Sequence, residues 1–131
     1  MTVISEFQVN RDNFRETHLA QYESPALTND QLLVRIDQFA LTSNNVSYAA
    51  SGDMIGYWQY YPAPAPWGNV PAWGSGTVLE SAHPDIPVGE RLWGFFPMAS
   101  HTLLTAGRIR HDQLTDVAAH RQALPGLYNN F

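Results

Sequence analysis

Cysteine is absent from the 131 residues, which removes thiol nucleophiles, disulfides and any zinc site built on thiolates. Basic residues are few, 7 Lys and Arg against 12 Asp and Glu, for a formal net charge of −5. They are scattered, so the clustered cations that grip a phosphate backbone are missing and nucleic acid is not an expected partner. Long apolar runs are missing too. "MTVISEFQVNRDNFRETH" has no basic region leading into the apolar core of a signal peptide, and no later run has transmembrane length. The expectation is a cytoplasmic protein without membrane contact, in which the sequon Asn45-Val46-Ser47 is a chance match. Internal repeats are not visible.

What is present suits one folded domain over 1–131: 44% hydrophobic and 15% charged residues, enough for a modest core. "VISEFQVN" (3–10) sets Val3, Ser5, Phe7 and Val9 against Ile4, Glu6 and Gln8, the alternation of an edge strand. The polar stretch that follows reads as irregular, with a turn at 24–30. "QLLVRIDQFALTS" (31–43) is the clearest strand, rich in β-branched and aromatic residues. "NNVSYAASGD" (44–53) reads as a loop with one helical turn closed by Gly52, because Asn and Ser compete for local backbone hydrogen bonds. Residues 57–71 combine Tyr57, Trp58, Tyr60, Tyr61 and Trp67 with Pro62, Pro64, Pro66 and Pro71. That proline density predicts an extended, polyproline-like surface loop.

"GTVLESA" and "ERLWGFFPMA" read as paired strands joined by a tight turn at Val88-Gly89, and "SHTLLTAGRIRHD" as one more. Leu114, Val117, Ala118 and Ala123 have near-helical spacing, so 111–131 is expected to hold a short helix broken at Pro125-Gly126. Strands first and one helical piece last predict a mainly β fold, a partly open β-barrel with short helices and a C-terminal helical segment.

The pair Gly74-Ser75-Gly76 raises the question of a phosphate cradle. A dinucleotide fingerprint needs a third glycine and a helix after it, whereas "TVLESA" follows here. The cradle is therefore rejected. Two steric readings remain, a bulge or barrel corner and close approach of a ligand. The five histidines, at 18, 83, 101, 111 and 120, have no ligand spacing. They read as surface or hydrogen-bonding residues, and no metal is expected.

With these segments in order, "QLLVRIDQFALTSNN" followed by "VPAWGSGTVLESAHPDIPVGERLWGF" resembles the N-terminal GroES-like domain of medium-chain dehydrogenases/reductases. "GDMIGYWQYYPAP" and "FFPMASH" resemble a quinone-oxidoreductase-like branch of it, the DUF2855 group. The resemblance implies a GroES-like barrel serving as the substrate side of a zinc-independent NAD(P)H oxidoreductase. Where zinc members carry Cys, His and Glu, this chain has Ala40, Leu41 and Thr42, then Ala72 and Trp73. It also implies that NADP(H) or NAD(H) binds chiefly to a C-terminal Rossmann domain. That domain is absent from this chain and would follow residue 131 or come from a second subunit. The fragment alone would then be inactive.

By the same resemblance, Thr42, Asn44, Asn45 and Tyr48 fall in the polar loop that faces substrate. Ser43 stands where quinone oxidoreductases have Asn. A Tyr hydroxyl or Asn amide there would polarise a carbonyl oxygen; turn chemistry and core packing explain the same residues. Tyr57, Trp58, Tyr60 and Trp67 are candidates for the wall of a pocket for a small apolar or carbonyl substrate. Packing, or burial against a second domain or subunit, is the other reading. The competing function is a stand-alone, non-catalytic binding or oligomerisation module of the same fold, with a homo-oligomer as its expected state.

Overall fold

The computed structural model describes residues 2–50, 57–110, 113–118, 120 and 129–131, without the side chains of Ala50, Tyr57, Arg108, Ile109 and Arg110. Among the described residues, eight strands make two antiparallel sheets. β1 (Val3–Asn10), β2 (Asn13–Glu23) and β4 (Trp67–Asn69) form one, in the order β2-β1-β4. β3 (Gln31–Phe39), β5 (Pro71–Ser81), β6 (Arg91–Pro97), β7 (His101–Arg110) and β8 (Gln113–Asp116) form the other, in the order β6-β5-β3-β7-β8. This larger sheet curls strongly, giving the expected mainly β, partly open barrel. A short seam joins the sheets. Phe7 N donates to Met98 O at 2.9 Å and Ser100 N to Ser5 O at 2.8 Å, so β1 borders the link between β6 and β7. No described helix is long and apolar enough to cross a membrane.

The larger sheet follows from its sequence. Leu32 and Val34 point into the core while Arg35 and Asp37 pair outside at 2.8 Å. Phe95, Phe96, Leu104 and Val78 are almost fully buried in the same cluster, each contributing roughly 2–3 kcal/mol of apolar burial. The tight turn stands at Gly89, whose φ of +95° suits glycine.

Gly74 and Gly76 also find their explanation here. A Cβ on Gly74 would overlap Gln38 O, and one on Gly76 would lie 2.6 Å from Val34 Cγ1 and 2.8 Å from Arg35 O. The β3–β5 register shifts between Ile36 and Gln38, beside these glycines. They are spent on a bulged, close strand crossing. The bulge reading holds.

Several expectations need correction, the first being that Val3–Asn10 is an edge strand: β1 is the middle strand of its sheet, paired to β2 on one side and β4 on the other. The polar stretch after residue 10 is not irregular: Asn13–Glu23 is the eleven-residue strand β2, in register with β1 from Val3↔Glu23 to Val9↔Thr17. Its polarity reflects exposure of most of its length, not lack of structure. The proline-rich loop holds strand β4 in the proline-free gap between Pro66 and Pro71, paired to β1 from Gln8↔Asn69 to Asn10↔Trp67. Finally, Gln113–Asp116 is strand β8 where a helix was expected; it pairs with β7, and Leu114 exchanges backbone hydrogen bonds with Phe131. Leu114 spacing fits a strand buried on one face as well as a helix. Residues 121–128 of that proposed helix lie outside the described residues.

Candidate functional site

The loop expected at 44–53 is a two-turn helix, α1 (Ser43–Ala50); Gly52 lies outside the described residues. The Asn and Ser residues that argued against a helix start it. Thr42 Oγ1 accepts from Asn44 N at 3.3 Å, and Asn45 Oδ1 reaches back to accept from Thr42 N at 2.6 Å. This is a variant of the capping box, in which the Thr42 hydroxyl caps the N–H two residues on and Asn45 takes the place usual for Glu or Gln. Asn45, Tyr48 and Ala49 then share the inward face, at i, i+3 and i+4. Asn45 Nδ2 donates to Pro71 O at 3.0 Å, which anchors the helix to the start of β5.

The four polar candidates therefore separate by environment. Thr42 and Asn44 are exposed at the helix start. Asn45 is buried, with both ends of its amide engaged. Tyr48 is half-buried, its ring edge-on to Phe95 with centroids 5.5 Å apart, and it touches both hydrophobic clusters of the core.

The aromatic candidates separate too. Trp58 is buried over Gly68, with the Arg11 guanidinium 5.6 Å from its ring. Tyr60 is buried edge-on to Phe95 at 5.4 Å. Both are core packing. Tyr57 has no described side chain. Trp67 lines a cavity of about 330 Å³, together with Glu6, Gln8, His18, Ala20, Tyr22 and the prolines Pro62 and Pro64.

That cavity was not anticipated. The face of β1 carrying Ile4, Glu6 and Gln8 is the buried one, while Val3 and Phe7 are exposed. A connected polar network makes this burial tolerable. Glu6 accepts from Tyr22 OH at 3.0 Å on Oε2, and from Asn69 Nδ2 at 3.1 Å and Gln8 Nε2 at 3.3 Å on Oε1. His18 Nε2 stands 2.7 Å from Gln8 Oε1, so this nitrogen carries the proton and donates. Burial raises the Tyr22 phenol above its ordinary range, and the Glu6 charge and hydrogen bond raise it further. Tyr22 therefore stays a donor. The signal available in the sequence was the spacing of His18, Ala20 and Tyr22 on one face of β2, opposite Gln8, Glu6 and Ile4 in the β1 register.

The proline loop is held over this network by Arg11, whose Nε donates to Trp67 O at 3.0 Å and whose N donates to Pro66 O at 2.9 Å. The loop, β5 to β8 and α1 all fall within residues 39–131, the stretch matched by the family described as Protein of unknown function (DUF2855). The chain belongs to the DUF2855 family. No curated protein matches it. The match begins at the end of β3, so the hairpin of β1 and β2, with Glu6, Gln8, His18 and Tyr22, lies outside it.

In this DUF2855 chain no group of three or more His, Asp or Glu side chains gathers among the described residues. The described histidines instead make hydrogen bonds: His83 Nδ1 accepts from Asp85 N at 3.1 Å, and His101 Nδ1 lies 2.9 Å from Ser100 Oγ. Burial, helped by the charge of Arg35, lowers the His101 pKa. The two polar groupings differ in what they offer. The α1 start presents neutral donors, Thr42 and Asn44, to solvent. The β1–β2 cavity presents a buried carboxylate.

Proposed function

We propose that this chain is the substrate-side lobe of a zinc-independent, quinone-oxidoreductase-like NAD(P)H oxidoreductase with a GroES-like barrel of the medium-chain dehydrogenase/reductase type. The observation that carries the reading is the passage from β3 into the capped helix α1, which exposes Thr42 and Asn44 on a rigid start beside the curled sheet. Strand, polar helix start and glycine-bearing strand follow one another as they do in that superfamily. Donors held in this way lose little entropy when they meet a carbonyl oxygen on which charge develops.

In this reading Asn44 and the Thr42 hydroxyl approach the substrate oxygen. Asn45 positions them through its contacts to Thr42 N and Pro71 O, and Tyr48 fixes the inward face of the helix on Phe95. The glycine pair does not fit a dinucleotide, because β3 occupies the space in front of it. The nicotinamide belongs to a Rossmann domain or a second subunit, and it supplies the hydride when bound.

The test has two arms. NADPH titrated into the 131-residue chain is expected to show no saturable binding, and a dissociation constant below about 10 μM would contradict the division of labour. The coding sequence downstream of Phe131 is expected to continue into a Gly-rich βαβ segment; a stop codon directly after it favours the stand-alone binding module. The cavity of the β1–β2 hairpin is the specific feature on which that second reading rests.

A further inference from the structure

The geometry points to a binding site for a small primary organic ammonium with an apolar stem, in the cavity between the β1–β2 hairpin and the proline loop. This inference is independent of the proposed reductase role: it uses neither α1 nor a nicotinamide.

The first argument is charge. Glu6 is 9% exposed and faces a cavity of about 330 Å³. Among the described residues its oxygens accept only from neutral groups, namely Tyr22, Asn69 and Gln8. Among the described residues no Arg or His forms an ion pair with it. The chain contains no lysine at all, so no side-chain ammonium is available to fill the place. A buried charge met by dipoles alone is a costly arrangement that a bound cation relieves.

The second argument is hydrogen-bond balance. Asn69 gives its amide protons to Glu6 Oε1 and Tyr61 O, leaving its own Oδ1 buried and without a partner among the described residues. Turning the amide over would set its oxygen against those two acceptors, so the orientation is determined. Asn69 is not one of the lining residues, and the acceptors on the lining itself are the Glu6 oxygens and Gln8 Oε1. An ammonium brings three donors and no acceptor. A carboxylate or phosphate ligand would bring the reverse, against the charge of Glu6.

The third argument is the shape of the lining. Pro62, Pro64, Ala20 and the rings of Trp67 and Tyr22 surround the polar end with apolar surface. Trp and Tyr faces favour a nearby cation as well as an apolar stem. A metal ion is a poor fit, since Glu6 and His18 are the only His, Asp or Glu side chains on the lining and metal sites need more ligands.

The experiment titrates the full chain with benzylammonium at neutral pH and follows backbone amides by NMR, with benzyl alcohol as the neutral isostere and benzoate as the anion. Saturable shifts are expected for benzylammonium at the amides of Glu6, Gln8, His18, Tyr22 and Trp67, with at least tenfold weaker effects from the other two probes. Glu6→Gln, which keeps the shape and removes the charge, is expected to weaken benzylammonium tenfold or more. Equal affinity for benzyl alcohol, unchanged affinity in folded Glu6→Gln, or no saturable shift into the tens of millimolar would each overturn the proposal. If Glu6→Gln fails to fold, the wild-type map and the three-probe comparison decide: shifts centred elsewhere on the chain refute the site.

Discussion

Replacing Asn45 with Ala removes three hydrogen bonds at once, two of them short; the third, from Thr42 Oγ1 at 3.5 Å, is at the limit of such contacts. The acceptor for Thr42 N, at 2.6 Å, closes the capping box, and such a contact at a helix start is worth about 1 kcal/mol. The donor to Pro71 O, at 3.0 Å, serves a buried carbonyl. Pro71 faces Pro97 across the β5–β6 ladder, and Pro97 has no N–H to give. Leaving that oxygen bare costs about 1–3 kcal/mol. Together the change is expected to cost about 2–4 kcal/mol, a fall of about 1–2 M in the urea midpoint at unchanged slope. Thr42→Ala loses two longer contacts, from Asn44 N at 3.3 Å and to Asn45 Oδ1 at 3.5 Å, and is expected to cost about 1 kcal/mol or less. Equal midpoints for Asn45→Ala and Thr42→Ala would refute the reasoning, because the Pro71 contact would then carry nothing.

Gly76→Ala brings a methyl to 2.6 Å from Val34 Cγ1 and 2.8 Å from Arg35 O; a loss of about 1–3 kcal/mol is expected in thermal unfolding, and an unchanged melting point contradicts the close crossing. Gly89→Ala meets no neighbouring atom within 4 Å, so only the backbone at φ +95° resists it, at about 1 kcal/mol, and Gly89→Asn should cost less. The Tyr22 phenol is raised above its ordinary 10.0, so its stabilising contact is complete below that pH and is lost as pH rises through the higher folded value. Phenolate absorbance should therefore show a late-titrating component in the folded chain that Tyr22→Phe reduces by one tyrosine; identical curves at high pH would contradict the contact with Glu6.

The larger sheet was legible because β5 alternates buried Gly74, Gly76 and Val78 with less buried Ser75 and Thr77, and because β3 carries the apolar run Leu32, Leu33 and Val34, all buried, before Arg35 and Asp37 turn outward. The glycine pair was legible as steric because a strand follows it. The hairpin of β1 and β2 was half hidden. Its buried face carries Glu6 and Gln8, so a hydrophobicity pattern points the wrong way, and the partner strand is polar because it is exposed on most of its length. Helix α1 was hidden because Asn and Ser are both loop residues and caps; only the three-residue spacing from Thr42 to Asn45 separates the cases. For the site, Thr42, Asn44, Asn45 and Tyr48 do gather on one short helix, yet the inward turn of Asn45 depends on Pro71, 26 residues away. The Glu6 cavity could not be read locally at all, since it needs β2 in register and Asn69 brought in from the loop.

The seam between Ser5 and Ser100 spans 95 residues of sequence. On a ribosome adding about 5–20 residues per second, the N-terminal hairpin waits roughly 5–20 s for its neighbour to be made. For the first part of that interval, until the proline loop is made, the face it later covers carries Glu6, Gln8 and His18, which water solvates readily. An apolar surface there would be exposed to self-association for the same time. The carboxylate that burdens the finished protein is thus also a safeguard during synthesis, and slow, late joining of the two sheets is the kinetic signature to expect.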